Sequence, residues 1–289
     1  MNGRSFLPVK SDVIFRLFFA DERNVEFLIG FLKSVLRLPE DDYDKIEIVD
    51  PHLLREYAED KLGILDIKLR SKSRKIIHIE IQLIASQIRE RIIYYDAKLI
   101  TEQIGSGDHY DVIKKVISIL VIDDRLIQED QKYHHRFTLY DPEAGIEFSD
   151  LLEINTLELL KLPKSTDGTV LYDWASFIAA ERKEELDMIA ERNPEVKKAV
   201  VKLLELSEDE RNRDLFERRE KERRDTVARE KWVRQEGIRE GRQEGLQEGR
   251  LEERLEIARK LIRIDLPIEK IIEATGLARV EVEGLLNQY

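Results

Sequence analysis

Two short runs of the sequence, residues 63–70 and 76–83, alternate apolar side chains with ionisable or polar ones. Because successive side chains of a strand point to opposite faces, this pattern predicts two strands with an apolar back and a polar front. The residues that share the polar front are Asp66, Lys68, Arg70, His78, Glu80 and Gln82. Carboxylates and an imidazole gathered on one surface could bind a metal ion or carry acid–base chemistry.

The polar residues 71–75 connect the two runs and predict a hairpin. With the loop centred on Ser73, the facing pairs are Asp66 with Glu80, Lys68 with His78, and Ile64 with Gln82. Directly opposed side chains have Cβ atoms about 4.5–5.5 Å apart, and two ionised carboxylates at that distance repel each other. A cation between the carboxylates, or open water in front of both, would remove the conflict.

Mg²⁺ and Mn²⁺ suit such a pair because they bind through one or two carboxylates and keep several water ligands. An ordinary solvent-facing strand pair with alternating charge is the alternative interpretation. His78 could act as a general base, but a histidine beside charged groups is more often structural.

The elements around the hairpin follow from apolar periodicity and capping residues. Ser11 and Asp21 are placed to begin two short helices, and residues 87–104 have the apolar spacing of a third. Residues 46–50 predict a strand, and the almost wholly apolar run 116–122 predicts one that is buried on both faces. Weaker patterns predict strands at 136–140 and 151–159. This order predicts an α/β fold with a central mixed sheet flanked by helices.

The C-terminal half is predicted to be helical, over residues 172–192 and, beginning at Pro194, 194–206. Residues 207–264 are dominated by interspersed Glu and Arg, which is typical of a long solvated helix. Four glycines recur there at every fourth position, at Gly237, Gly241, Gly245 and Gly249. They indicate either close packing of a partner helix or a flexible, partly helical linker. Residues 266–286 predict a small helical hairpin.

The amino-acid composition excludes several classes of protein. The 289 residues carry 49 Lys and Arg against 60 Asp and Glu, a net charge of −11, and contain no cysteine. A protein that coats DNA would be basic, so only a local basic rim could contact phosphates. Arg70, Lys72, Arg74 and Lys75, around the hairpin loop, could form that rim. The lack of cysteine excludes disulfides and thiolate metal sites. With no long apolar run and no secretory signal at the start, we expect a cytoplasmic protein.

Several motifs resemble a known nuclease family when they are taken in order. Asp66, thirteen intervening residues and then Glu80-x-Gln82 are similar to the active-site hairpin of the PD-(D/E)xK nuclease superfamily. More specifically, the chain resembles the Rpn family of recombination-promoting nucleases, which are also described as PD-(D/E)xK transposases. The supporting segments are residues 11–18 (SDVIFRLF), 65–68 (LDIK), 79–82 (IEIQ), 91–95 (RIIYY), the Glu-Gly-rich helix and 272–277 (IEATGL).

The resemblance implies a metal-dependent DNA endonuclease that uses Mg²⁺ or Mn²⁺. Asp66 and Glu80 match the metal-binding carboxylates, and Asp12 matches an acidic position that completes the metal shell. Gln82 stands where the superfamily often has lysine; it can hold a water molecule but supplies no charge. Lys68 could supply the missing cation, or could be a salt-bridge partner of Asp66 or Glu80. A further basic residue, Arg91, could contact DNA. Leu65 replaces the proline of the motif.

These expectations divide the chain into four parts. Residues 1–165 form the nuclease-like domain, 166–206 pack on it as helices, 207–264 form the charged helix, and 265–289 the helical hairpin. DNA is the expected partner, with self-association through the charged helix. Two alternatives stay open: a catalytically weak or inactive nuclease fold that serves as an assembly module, and a transposase-type enzyme that transfers strands.

Overall fold

The fold is described from a computed structural model of the chain. The structure describes residues 6–53, 65–83 and 87–286. Two predicted features of the hairpin, Gly63 as the start of the first strand and Ile64 as the neighbour of Gln82, lie outside these residues. The chain divides into two compact units, residues 1–219 and 220–289.

The described residues of the first unit form a six-stranded mixed sheet. The strands are β1 (Glu47–Val49), β2 (Ile67–Arg70), β3 (Ile76–Gln82), β4 (Val116–Ile122), β5 (His134–Asp141) and β6 (Ile146–Glu158). Their order across the sheet is β1-β2-β3-β4-β6-β5. β4 runs parallel to both β3 and β6, and the other neighbours are antiparallel. Every residue of β4 is buried, because it lies in the middle of the sheet and is covered on both faces.

Helices cover both faces of this sheet. They are α1 (Asp12–Phe19), α2 (Val25–Val35), α3 (Ile88–Thr101), α4 (Val170–Ala179), α5 (Lys183–Arg192) and α6 (Pro194–Glu208). The largest core joins residues of α1, α2 and α4–α6 to one side of the hairpin, including Ile67, Ile79 and Ile81. The apolar side chains of α3, such as Ile92 and Leu99, pack on the opposite face. The predicted fold class is therefore confirmed, and α3 covers the face that carries the polar residues.

One long helix predicted over residues 172–192 is instead two helices, α4 and α5. The chain breaks after Ala180, a buried residue with an extended backbone (φ −57°, ψ 133°). The cause is the side chain of Glu185, whose Oε2 accepts hydrogen bonds from the backbone N–H groups of Glu181 (2.9 Å) and Arg182 (3.2 Å). A glutamate that caps the donors at a helix start favours a new helix over continuation of the old one.

The charged segment forms one helix, α7 (Glu210–Arg263), of 54 residues. It is followed by α8 (Ile268–Thr275) and α9 (Arg279–Leu286), which pack with the end of α7 around a small apolar core. Gly276 ends α8 with a positive φ of 66°, a conformation that glycine adopts at no steric cost. In the described part of the chain, no helix combines the length and apolar character needed to cross a membrane.

Candidate active site

The hairpin of β2 and β3 has the register predicted from its loop. Ile67 pairs with Ile79 and Lys68 pairs with His78, so Asp66, which directly precedes β2, stands opposite Glu80. The alternation of apolar and polar residues excludes a slip by one residue, which would turn every apolar side chain away from the core, and the length of the loop sets the rest of the register. The two predicted carboxylates are therefore brought together.

Each carboxylate accepts a hydrogen bond from the other strand. The backbone N–H of Asp66 donates to Glu80 Oε1 at 3.2 Å, and the backbone N–H of Ile81 donates to Asp66 Oδ2 at 2.8 Å. The Glu80 side chain is only 4% exposed. These contacts fix one oxygen of each group and leave Asp66 Oδ1 and Glu80 Oε2 without a hydrogen bond from the described residues. Two carboxylates are thus held in place with one oxygen each available to a ligand.

Burial makes it unfavourable for both groups to carry a negative charge. Burial first, and then the charge of Asp66, raises the pKa of Glu80 to about 8. Burial likewise raises the pKa of Asp66; the hydrogen bond from Ile81 and the charge of Arg16 oppose that shift, and the charge of Asp12 adds to it. In the absence of a cation the pair therefore holds a proton at neutral pH.

A divalent cation fits this donor set because its charge would replace that proton. Among the described residues, no cluster of three or more His, Asp or Glu side chains is arranged to hold a metal ion. The two carboxylates would have to share such an ion with water and substrate oxygens. Mg²⁺ accepts this arrangement, since it binds through one or two carboxylates and keeps several waters.

Asp12, at the start of α1, lies near the pair without joining it. Its Oδ2 accepts hydrogen bonds from Arg219, with Nε at 2.8 Å and Nη2 at 2.7 Å. Arg16, one turn along α1, has its Nη2 3.9 Å away from the same oxygen. The Asp12 carboxylate is therefore bound by arginines at the edge of the site.

Gln82 follows Glu80 by two residues, on the same face of β3. It lies at the end of the strand, where its backbone carbonyl accepts a hydrogen bond from the N–H of Asp123 at 2.8 Å. Two residues of a strand span roughly 6.5–7 Å, so the backbone position of Gln82 lies about that far from Glu80 along β3.

Lys68 pairs with a different acid, contrary to the predicted salt bridge with Asp66 or Glu80. Its Nζ lies 3.1 Å from Glu102 Oε2, just after the end of α3, and both side chains are nearly buried. The reason is tertiary, because α3 covers the polar face of the hairpin and brings its own acid to this lysine. Lys68 is thus not placed to supply a charge between Asp66 and Glu80.

His78 has the structural role that the sequence favours. Its Nε2 lies 2.7 Å from Asp96 Oδ1 and 2.6 Å from Ser118 Oγ, and all three residues are fully buried. A catalytic relay would use both ring nitrogens, one for the nucleophile and one for the acid. Here both partners meet the same nitrogen. The cluster instead connects β3, β4 and α3.

Arg91, on the first turns of α3, points towards the carboxylate pair. Its Nη2 lies 3.8 Å from Glu80 Oε2, which is within ion-pair distance and too long for a hydrogen bond. Tyr95 lies one helical turn later. Burial raises the pKa of Tyr95, and the charges of Glu80 and Asp66 add to that shift. Both residues of α3 therefore border the site.

Three of the four residues that were predicted to form the basic rim line one groove on the protein surface, and the fourth does not. Arg70, Lys72 and Arg74 line a groove of about 850 Å³, to which Lys68, Lys45 and Lys114 also contribute. Lys75 differs from the expectation, because its Nζ lies 2.5 Å from the buried carboxylate of Asp42. That carboxylate also accepts a hydrogen bond from the backbone N–H of Ser73, so Lys75 is part of the structure that holds the hairpin loop.

Three residues at the site do not stand out as functional in the sequence. Arg16 is four residues after Asp12, a spacing that places both on one side of a helix and could have drawn attention to it. Tyr95 falls on the apolar stripe of α3, which predicts a core position, and its ring does pack there. No local signal connects Arg219 to Asp12, since their contact depends on the tertiary fold.

A protein-family model described as PD-(D/E)XK nuclease family transposase matches residues 9–231. The matched region covers well over half of the chain and includes every candidate site residue described above. It confirms the resemblance that the order of the motifs indicates. Searches of curated proteins and of solved structures found no match.

Proposed function

Because this chain belongs to the PD-(D/E)XK nuclease family transposases, we propose that it is a DNA endonuclease that hydrolyses phosphodiester bonds with a divalent cation. The observation that supports the proposal most strongly is the buried pair of Asp66 and Glu80, each fixed by a backbone N–H of the opposite strand. Nucleases of this class generally use divalent metal ions.

Asp66 and Glu80 would hold Mg²⁺ or Mn²⁺ through their remaining oxygens, and Asp12 is assigned to the outer edge of the metal site. When bound, such a cation lowers the pKa of a coordinated water and polarises the phosphate. Gln82 would orient the attacking water through its amide. The water oxygen forms a bond to phosphorus while the bond from phosphorus to a sugar oxygen breaks. The water gives up a proton to the solvent, and the leaving oxygen takes one up.

DNA would approach along the groove next to the hairpin. Arg70, Lys72 and Arg74 are the proposed phosphate contacts there, with Arg91 closer to the carboxylates. Lys72 also lies 2.9 Å from Asp44, so part of its charge is already balanced. The net charge of −11 confines DNA binding to this local surface, so we expect modest affinity that falls steeply with salt. The absence of cysteine supports a role in the cytoplasm.

The direct test is nicking of a supercoiled plasmid by the full-length protein at low salt with Mg²⁺ or Mn²⁺. We expect cleavage by the wild type that EDTA abolishes. Glu80→Gln, which removes the charge and keeps the shape, should lose it. Glu90→Gln is the matched control, since Glu90 is an exposed acid on α3. Equal cleavage by wild type and Glu80→Gln would overturn the proposed site, and an intact plasmid with every metal would overturn the activity.

A second candidate function is assembly of copies through α7. This helix extends over 54 residues and exposes large apolar side chains, among them Trp232 and Ile238, each 63% exposed. In this case the fold would be catalytically weak or inactive and would act as a regulatory module. Analytical ultracentrifugation of wild type and Glu80→Gln tests it. Self-association in both, without cleavage by either, would favour assembly over hydrolysis.

The description of the family as transposases supports a third candidate, strand transfer. There the attacking group would be the 3′-hydroxyl of another DNA end instead of water, and the product would be a joined DNA molecule. A labelled donor end and a plasmid target distinguish the reactions. Labelled plasmid would indicate strand transfer and with it a role in DNA recombination, whereas nicked unlabelled plasmid would indicate hydrolysis.

A further inference from the structure

Arg91 has unused hydrogen-bonding capacity at the carboxylate pair. Its Nε and Nη2 are both shielded from solvent, and neither has a hydrogen-bond partner within residues 6–53, 65–83 and 87–286. Buried donors without an acceptor are rare in folded proteins, because each loses its hydrogen bonds to water without replacement. The two nitrogens form one edge of the guanidinium, so their N–H bonds point in nearly the same direction. That edge is the fork that binds two oxygens of a phosphate or carboxylate together.

Glu80 does not accept hydrogen bonds from the Nε and Nη2 groups of Arg91. The 3.8 Å between Glu80 Oε2 and Arg91 Nη2 gives a charge interaction without a hydrogen bond. Arg89, two residues earlier on α3, has a structural role and provides the comparison. Arg89 donates from Nη2 to the backbone carbonyl of Leu126 at 2.6 Å and so fastens the helix to the loop after β4. Arg91 has no comparable bond among the described residues.

Among the described residues of β2 and β3, no cation is placed to act on a phosphate at Asp66 and Glu80, since Arg70 ends β2 four residues after Asp66. Arg16 of α1 also acts on both carboxylates through its charge, but its Nη2 lies 3.9 Å from Asp12 Oδ2. Gln82 is neutral, and Lys68 is bound to Glu102. Hydrolysis of a phosphodiester builds negative charge on the non-bridging oxygens of the phosphate, and a fixed cation that meets this charge accelerates the reaction. With the metal ion held by Asp66 and Glu80 as proposed above, the Arg91 guanidinium would lie beside the scissile phosphate.

We propose that Arg91 is a catalytic residue that donates hydrogen bonds from Nε and Nη2 to the scissile phosphate. It thereby supplies from α3 the positive charge that Gln82 does not supply from β3. No covalent bond to Arg91 forms or breaks. This inference rests on the proposed endonuclease function and adds a residue that recognises the phosphate.

The first test compares single-turnover cleavage by full-length Arg91→Ala, Arg91→Lys and Arg89→Ala. We expect Arg91→Ala to lower the rate roughly 10²–10³-fold, as the loss of one transition-state donor does. Arg91→Lys should retain part of the rate, and millimolar ethylguanidinium should restore part of it to Arg91→Ala against a NaCl control. Arg89→Ala should stay within a few-fold of wild type if it is folded. Equal rates for Arg91→Ala and wild type would overturn the proposal.

A second measurement separates Arg91 from the metal site. Arg91→Ala should bind Mn²⁺ at least as tightly as wild type in isothermal titration, because a cation next to Glu80 has been removed, whereas Glu80→Gln should bind more weakly. Loss of Mn²⁺ binding in Arg91→Ala would indicate a structural role and overturn the inference.

A third measurement does not depend on cleavage. Fluorescence anisotropy with a labelled DNA duplex in Ca²⁺ should show weaker binding by Arg91→Ala than by Arg89→Ala, by about 3–10-fold for one lost phosphate contact. If wild type binds DNA without cutting it, the proposed function fails, and this comparison still decides whether Arg91 binds phosphate. Equal affinities of the two variants would then overturn the inference as well.

Discussion

At the scale of single residues, the carboxylate pair shows how a sheet can hold two acids in an apolar setting. Asp66 and Glu80 each reach across the hairpin to a backbone N–H of the other strand. Those hydrogen bonds favour the ionised forms, yet burial outweighs them and raises both pKa values. Ionisation of both buried carboxylates is therefore unfavourable, and a bound cation would remove this repulsion.

The raised pKa of Glu80 predicts a pH-dependent cost to stability. Its pKa is about 8 in the folded chain and about 4.3 in an unfolded one. Below pH 4 the group is protonated in both states. As pH rises from about 4.5 to 8, only the unfolded state ionises, so the contribution of Glu80 to folding stability declines; above pH 8 it is constant.

We therefore expect Glu80→Gln to raise the melting temperature relative to wild type at pH 8 by several degrees, and much less at pH 5. About 2–4 °C corresponds to 1 kcal/mol in a chain of this size. Scanning calorimetry in EDTA at both pH values measures the difference, with Glu90→Gln as the control. A difference that does not change with pH would contradict the assigned pKa.

At the scale of elements, α3 determines which part of the polar face of the hairpin is buried and which side chains border the site. His78 on β3 and Ser118 on β4 both contact Asp96 of α3 inside the core. This cluster anchors the helix that carries Arg91 and Tyr95 over the site. The sequence places His78 on the polar front, but only the fold shows that this part of the front is buried.

Removal of Asp96 should therefore disturb both the fold and the site. Asp96→Ala would leave His78 and Ser118 buried without their shared acceptor, at a cost of about 2–3 kcal/mol. Ser118→Ala removes one hydroxyl and should cost less. Urea unfolding followed by circular dichroism gives both values, and a smaller loss for Asp96→Ala than for Ser118→Ala would show that the cluster is not the anchor.

The glycines of α7 allow a test at the same scale. A Cβ at Gly237, Gly241, Gly245 or Gly249 would meet no atom of the described chain within 4 Å. Each glycine costs a helix about 0.8–1 kcal/mol relative to alanine. If copies associate through this stripe, as proposed above, replacing all four by alanine should weaken self-association while it stabilises the isolated helix.

Sedimentation velocity over a range of concentrations measures that association. Alanine at Glu236, Glu240, Glu244 and Glu248, next to the glycines, is the control for four added alanines in the same turns of the helix. Unchanged association in the glycine variant would indicate that the glycine-containing segment of α7 is a helical spacer and not the surface of association.

At the scale of the whole molecule, the charge distribution decides how an acidic protein could bind DNA. The groove beside the hairpin has more cations than acids along its walls, although the chain as a whole is at −11. Each phosphate contact contributes about 0.9 to the slope of log K against log salt. The contacts can therefore be counted by changing one cation at a time.

Arg70→Gln and Lys114→Gln should each weaken DNA binding and reduce the salt slope by up to about 1. Lys75→Gln should leave the slope unchanged and lower stability, because Lys75 is paired with the buried Asp42. Anisotropy titrations in Ca²⁺ at salt concentrations from about 50 to 200 mM measure the slopes. A reduced salt slope for Lys75→Gln would contradict this prediction and indicate that Lys75 contacts DNA.

The sequence by itself determined the local elements and the hairpin register. Alternation of apolar and polar residues excludes a slip by one residue between β2 and β3, and the short loop centred on Ser73 selects the register that brings Asp66 opposite Glu80. Periodicity likewise identifies β4 and the charged helix, because burial and exposure follow directly from side-chain chemistry along one element.

Only the tertiary structure decided which side chains meet across elements. Lys68 contacts Glu102 and not the carboxylate pair, Asp12 contacts Arg219, and Arg91 reaches Glu80. Long, flexible cations such as these can pair with any acid within several ångströms, so their partners depend on how helices dock on the sheet. Short-range periodicity contains no information on that docking, which is why the framework of the site could be predicted and the partners of its charged side chains could not.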